Sequence, residues 1–289
     1  MKAESKEELS SVKKLFKLLG IKYVDTEDRK VIDYVASCIR GFDTGAYQCF
    51  GSIGHNEAIN ASFGCLEVLS QTQAKKVRNG LSGIPFLPVF KIRNGYSCTV
   101  LFDVDDETLE VNPDSGMVKE YKIPQQPDYM SPLHLAHEHI HFLKDTNYSE
   151  YVDSQIFGDV LTIFFEFLMA EKYPNMKNNI YRYRLYSLKE DLKYYDNAVR
   201  QMRKSKEDKD LYKVTITRSG QYLNSFYYAV ILINMYKVNP SFILQKVNSV
   251  LNHEMTTREL LEELNILHLD SKSIYDTEFS LIKKSYKKV

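Results

Sequence analysis

His137-Glu138-His139-Ile140-His141 is the stretch on which the reading of this chain turns. It has the form H-E-x-x-H, and the spacing has a physical basis. Residues four apart on a helix lie one above the other on a single face. Imidazoles at His137 and His141 can therefore meet at one Zn2+, with bonds of about 2.0–2.1 Å. Glu138 stands one step round from the first ligand, where it can reach a water at the metal without binding the metal itself, and so act as general base. The surroundings support a helix. Ser131-Pro132 is a cap followed by proline in the first turn, and the predicted helix runs to about Lys144.

A catalytic zinc takes three protein ligands and leaves a position open. The next segment, Ile156 to Met169, is mostly large and apolar, yet it contains Asp159 and Glu166. A carboxylate in such company must be paired or metal-bound, or else cost several kcal/mol. Glu166 lies 25 residues beyond His141 and is expected to be the third ligand. Asp159 lies two turns earlier on the same predicted helix (Ser149 to Lys172) and is expected to support one of the histidines from behind. Glu171, near that helix's end, reads as an ordinary exposed acid.

This arrangement resembles the zinc oligopeptidases of the thimet oligopeptidase and oligoendopeptidase F group, a gluzincin type of the zincin metallopeptidases. The resemblance covers Ser131 to Lys237 and implies zinc on His137, His141 and Glu166, with Glu138 as base and Asp159 as the family's acid two turns before the ligand glutamate. Gly220-Gln221-Tyr222-Leu223-Asn224-Ser225-Phe226-Tyr227-Tyr228 resembles the family's glycine- and tyrosine-rich helix start. There the resemblance implies a tyrosine hydroxyl that stabilises the tetrahedral intermediate, Tyr227 first and Tyr222 second. The histidine that usually precedes that stretch is missing. The implied activity is hydrolysis of peptide bonds in short peptides, with Zn2+ as cofactor and a peptide as partner.

Other histidines are weaker candidates. His134, one turn before His137, reads as a surface residue, and His139 points away from the ligand face. His253-Glu254-Met255-Thr256-Thr257 begins like the motif but ends in threonine. Tyr181-Arg182-Tyr183-Arg184-Leu185-Tyr186 mixes basic and aromatic groups, which reads as packing between helices rather than a nucleic-acid surface.

Working outward, the chain of 289 residues is 44% hydrophobic and 26% charged, an ordinary globular composition able to bury a sizeable core. Lys plus Arg and Asp plus Glu are each 38, so nothing points to nucleic acid or an anionic membrane. No apolar run approaches the roughly 20 residues of a membrane span. The N-terminus is polar and acidic, unlike a secretory signal, and Cys38, Cys49, Cys65 and Cys98 lack paired metal spacing. The expectation is a cytoplasmic protein with free thiols. The basic end, Lys283 to Lys288, reads as a solvated tail.

Helices are predicted over Glu7 to Leu19, Thr26 to Arg40 and Asn56 to Arg78. After Pro85 the pattern becomes strand-like: Val89 to Ile92, a hairpin turn at Asn94-Gly95, Ser97 to Val104, Thr108 to Val111, and Val118 to Ile123. Later helices cover about Asn178 to Lys204, Ser219 to Lys237, Pro240 to Leu251 and Thr256 to Leu264, with Arg203 to Lys213 as an exposed loop. The expected fold is α+β, mostly α-helical and zincin-like. It forms a single domain over 1–289: a helical part (1–80), a small antiparallel sheet (85–123), and a helical part (131–289) with the motif. Two rival readings stand beside it: a non-catalytic or regulatory zinc-binding zincin-like protein, and a metal-free helical interaction protein. Oligomeric state is not indicated.

Overall fold

Asp25, rather than Thr26, caps the first described helix. Its carboxylate accepts from the backbone N–H of Glu27 and Asp28 and starts α1 (Thr26–Arg40). The structure is a computed structural model that describes residues 23–43, 51–89, 96–105, 110–204 and 209–286, with isolated positions 10, 13, 14, 16, 17, 20 and 108. Most of the helix expected over Glu7 to Leu19, and the turn at Asn94-Gly95, lie outside the described residues.

The helix expected over Asn56 to Arg78 is two, α2 (His55–Leu66) and α3 (Gln71–Gly80). Ser70 interrupts it by accepting from the N–H of Thr72, which starts a new first turn. Three strands follow: β1 (Phe86–Val89), β2 (Ser97–Leu101) and β3 (Met117–Pro124). The sheet is mixed, not antiparallel throughout. Its order is β1-β3-β2; β1 runs parallel to β3, with Phe86 opposite Tyr121, and β2 runs antiparallel to it, with Cys98 opposite Tyr121. β1 and β2 are therefore not a hairpin pair, and β2 is an edge strand. Of the strand expected at Thr108 to Val111, the described residues show one bridge, between Val104 and Val111, and residue 109 lies outside them.

The motif helix is α4 (Ser131–Asp145), with Pro132 in its first turn. Ser131 lies inside it, its hydroxyl accepting from the N–H of Asp128 at 2.7 Å. The predicted Ser149–Lys172 helix is again two, α5 (Tyr148–Phe157) and α6 (Val160–Lys172), broken at Gly158-Asp159. Every residue from Val160 to Ala170 is buried, as befits a helix apolar nearly all round. Then come α7 (Lys177–Lys204), α8 (Lys209–Val238), α9 (Pro240–Leu251), α10 (Thr257–Glu263) and α11 (Lys272–Tyr286). Much of the expected loop over Arg203 to Lys213 is thus helix, and the basic tail begins within α11. Thr256 and Glu259 form a reciprocal capping box on α10.

The core is built round α8, which packs against α1, α5, α6, α7, α9 and α11. α4 sits between this bundle and the sheet. His139 fixes that seat: its Nε2 meets the Ser62 hydroxyl at 2.8 Å, its Nδ1 meets the Tyr121 hydroxyl at 3.3 Å, and its ring stacks on Phe63. No helix among the described residues is long and apolar enough to cross a membrane.

Candidate metal centre

α4 presents His137 and His141 one turn apart, with Glu138 beside the first. The break between α5 and α6 supplies the third group. Asp159 stands at the N-terminal cap of α6, where α8 clamps it: Gln221 Nε2 donates to its Oδ2 at 3.1 Å, and its own N–H donates to the Ser225 hydroxyl at 3.2 Å. That leaves Oδ1 facing both imidazoles, 3.3 Å from His137 Nε2 and 3.5 Å from His141 Nε2. One ligand-type atom from each of His137, His141 and Asp159 lies within 4.8 Å of the other two. A tetrahedral site with bonds of about 2.0–2.1 Å has edges of about 3.3–3.4 Å, so the spacing suits a zinc-sized ion.

The other ring nitrogens are also engaged. His137 Nδ1 donates to Glu166 Oε1 at 2.9 Å, and His141 Nδ1 donates to Asp145 Oδ2 at 2.8 Å. A carboxylate on Nδ1 fixes the tautomer that turns the Nε2 lone pair to the ligand side. Glu166 is in turn held by Arg184, whose Nε donates to Oε2 at 2.8 Å and whose Nη2 contacts Oε1. The expected arrangement had Glu166 on the side of the two Nε2 atoms and Asp159 behind; the geometry places them the other way round. Asp159 joins the ligand-facing nitrogens, and Glu166 lies behind His137. The reason is the helix break, which lifts Asp159 off the regular face it would share with Glu166.

The charges respond to this packing. Burial alone would lower the pKa of His141, but Asp145 and Asp159 outweigh it and carry it up to about 10. His137 is likewise raised, by Asp159 and Glu166 against its burial. For Asp159, burial is outweighed by hydrogen bonds from both imidazoles, which hold its carboxyl well below the usual range. Five carboxylates, Glu138, Asp145, Glu150, Asp159 and Glu166, stand in or next to the site, with Lys144 and Arg184 as ion-pair partners among them. The surplus of negative charge calls for further cations, either a divalent ion or protons on the imidazoles.

A cavity of about 260 Å3 opens over these groups. Glu138 lines it, with Oε2 accepting from the N–H of Cys98 on β2 at 2.9 Å. Tyr222 lines it too; neighbouring Asp159 and burial keep its phenol protonated well above its ordinary pKa, so it is a donor. Tyr227 does not reach it. Five residues on from Tyr222, it points roughly 140° further round α8, where it is buried and stacked on Tyr275, its hydroxyl without a hydrogen-bond partner among the described residues. His134 is a wall of the cavity rather than a surface residue. Its ring stacks on Tyr96 with centroids 5.0 Å apart and meets Tyr183 edge-on at 4.1 Å. Burial lowers its pKa to about 4, leaving a neutral imidazole. His139 is turned away and occupied by Ser62 and Tyr121, and His253 Nε2 donates to the Leu143 carbonyl oxygen at 2.7 Å.

Asp145, Arg184, Gln221 and Cys98 were not singled out for the site by the sequence reading. Asp145 carried a usable signal, since it stands four residues after His141 on the same helix. The other three arrive through tertiary packing alone. No protein family, no curated protein and no solved structure matches this chain.

Proposed function

We propose that this protein is a zinc-dependent hydrolase of peptide bonds. His137, His141 and Asp159 hold the ion and Glu138 acts as general base. The carrying observation is the meeting of two Nε2 atoms and one Oδ1 at edges of 3.3 and 3.5 Å beside Glu138 in one cavity. Zinc held there would supply Lewis acidity, activating a water and polarising the scissile carbonyl. The chain's own residues do the rest. Glu138, held by the Cys98 N–H, takes the proton of the attacking water and returns it to the leaving amine. The Tyr222 hydroxyl donates to the developing oxyanion. Cys98 and Ser97 place edge strand β2 along the cavity, where an extended peptide can lie beside it.

The zincin-like reading of the fold rests on the same features: a motif helix under a small sheet, with an edge strand at the site. Asp159 stands 18 residues beyond His141, so this ligand set departs from the one that the resemblance to the thimet oligopeptidase group implies. A reducing, cytoplasmic compartment fits the free thiols of Cys38, Cys65 and Cys98. A second reading draws on the same ion pairs: with both imidazoles protonated, the cluster is a metal-free structural network.

Glu138→Gln separates these readings. It is predicted to keep one equivalent of zinc and to lose at least 100-fold in cleavage of a peptide library. Normal turnover in that variant would remove Glu138 from the base role, and failure of the wild type to bind zinc would leave the structural network.

A further inference from the structure

We propose that Arg184 and Lys144 are positioning residues that decide which carboxylates reach the metal. This assignment rests on the zinc-site reading above. Each ligand histidine is backed by a carboxylate, and each of those carboxylates is neutralised by a buried cation. Behind His137 stands Glu166 with Arg184; the residues are 1% and 3% exposed. Behind His141 stands Asp145 with Lys144, which is 0% exposed. Lys144 also lies 3.5 Å from Glu150, and Glu150 accepts from the N–H and hydroxyl of Thr257 at the start of α10.

Asp159 differs in one respect. Its neutral partners are Gln221, Thr162 and Ser225, and its ion pairs among the described residues are with the two imidazoles. A carboxylate with a guanidinium across both oxygens has most of its acceptor capacity filled. One whose hydrogen bonds and ion pairs, among the described residues, come from neutral donors and the ligand imidazoles keeps it for an added cation, even with Lys144 and Arg184 at longer range. Distance alone would not select Asp159, because Glu166 touches the same histidine. Arg184 holds Glu166 at Nδ1 and so keeps it in the tautomer-fixing role, and Lys144 does the same for Asp145. The coordination number follows from these two cations: three protein ligands and an open position.

The test is titration of the apoprotein with Co2+ alone, read by visible absorption, which is strong for four-coordinate cobalt and weak for higher coordination. The wild type is expected to bind one equivalent with the strong band. Arg184→Met is expected to weaken the band as Glu166 joins the ion, and Asp159→Asn/Arg184→Met to recover cobalt binding that Asp159→Asn alone loses. Lys144→Met is expected to bind roughly 10–100-fold more weakly, and Lys144→Arg to restore most of the affinity. Should Arg184→Met not fold, Glu166→Gln/Arg184→Met removes both charges together; it is expected to keep the wild-type band with affinity lowered roughly 10–100-fold. Wild-type affinity and band in all these folded variants would overturn the assignment while leaving the metal site standing. No cobalt binding by the wild type would overturn both.

Discussion

At Asp28 the chain buries a carboxylate whose Oδ1 has no hydrogen-bond partner among the described residues. Burial, with Asp25 nearby, pushes its pKa up to about 6. A raised carboxyl pKa means that the folded state holds the proton more tightly than the unfolded chain. This group's contribution to stability is therefore complete below about pH 4 and is lost as pH rises to about 6. Asp28→Asn is predicted to remove that loss, raising stability at pH 7.5 by about 1–2 kcal/mol, with allowance for partial solvent screening. Denaturant melts at pH 4 and 7.5 would measure it, and an unchanged difference between the two would contradict it. The tyrosines give a second contrast at this scale. Tyr222→Phe is predicted to lower kcat roughly 100-fold without loss of zinc. Tyr227→Phe should leave both unchanged, because its hydroxyl lies away from the cavity and has no hydrogen-bond partner among the described residues. Equal effects in steady-state assays of the two variants would refute the assignment of Tyr222.

Two short interruptions decide the shape of the site at the scale of elements. Periodicity marked the bounds of α1, α4 and α9 closely, although α1 is capped by Asp25 rather than Thr26 and Ser131 lies inside α4. The break at Gly158-Asp159 was not legible. Apolar residues flank it on both sides, and only the clamp from Gln221 and Ser225 shows why Asp159 leaves the helix. The sheet order was hidden for a similar reason: β1 pairs with residues 35 positions further on, Phe86 with Tyr121, and local turn chemistry cannot report such a pairing. α6 lies inside the bundle, so Phe165→Ala is predicted to destabilise the fold by about 3–5 kcal/mol, read as a lower urea midpoint with unchanged slope. Gly116 marks another close approach. A Cβ there would stand 2.2 Å from the Thr146 carbonyl oxygen, so Gly116→Ala should push the turn before β3 away from the end of α4. A loss of about 1–3 kcal/mol is expected in the same melts, and a neutral result would mean that this turn is free to move.

For the whole molecule, the histidine motif and the need for a buried acidic partner were legible, since both follow from residue type and spacing. Which of the two acids faces the His137 and His141 Nε2 atoms was not, because it depends on α7 and α8 bringing Arg184 to Glu166 and Gln221 to Asp159. The site joins α4, the α5–α6 break and α8, so an ion bound there ties together the centre of the fold. Zinc at about 1,000 times its dissociation constant is predicted to stabilise the protein by roughly 4 kcal/mol, or about 8–16 °C in Tm for a chain of this size. Scanning calorimetry with and without a chelator would read that shift. The most direct test of the metal centre is zinc content by elemental analysis of untagged wild type, Asp159→Ala and Glu166→Gln. About one zinc per chain is expected in the wild type and in Glu166→Gln, and none in Asp159→Ala. Zinc kept by Asp159→Ala but lost from Glu166→Gln, or absent from the wild type after reconstitution, would contradict this ligand set.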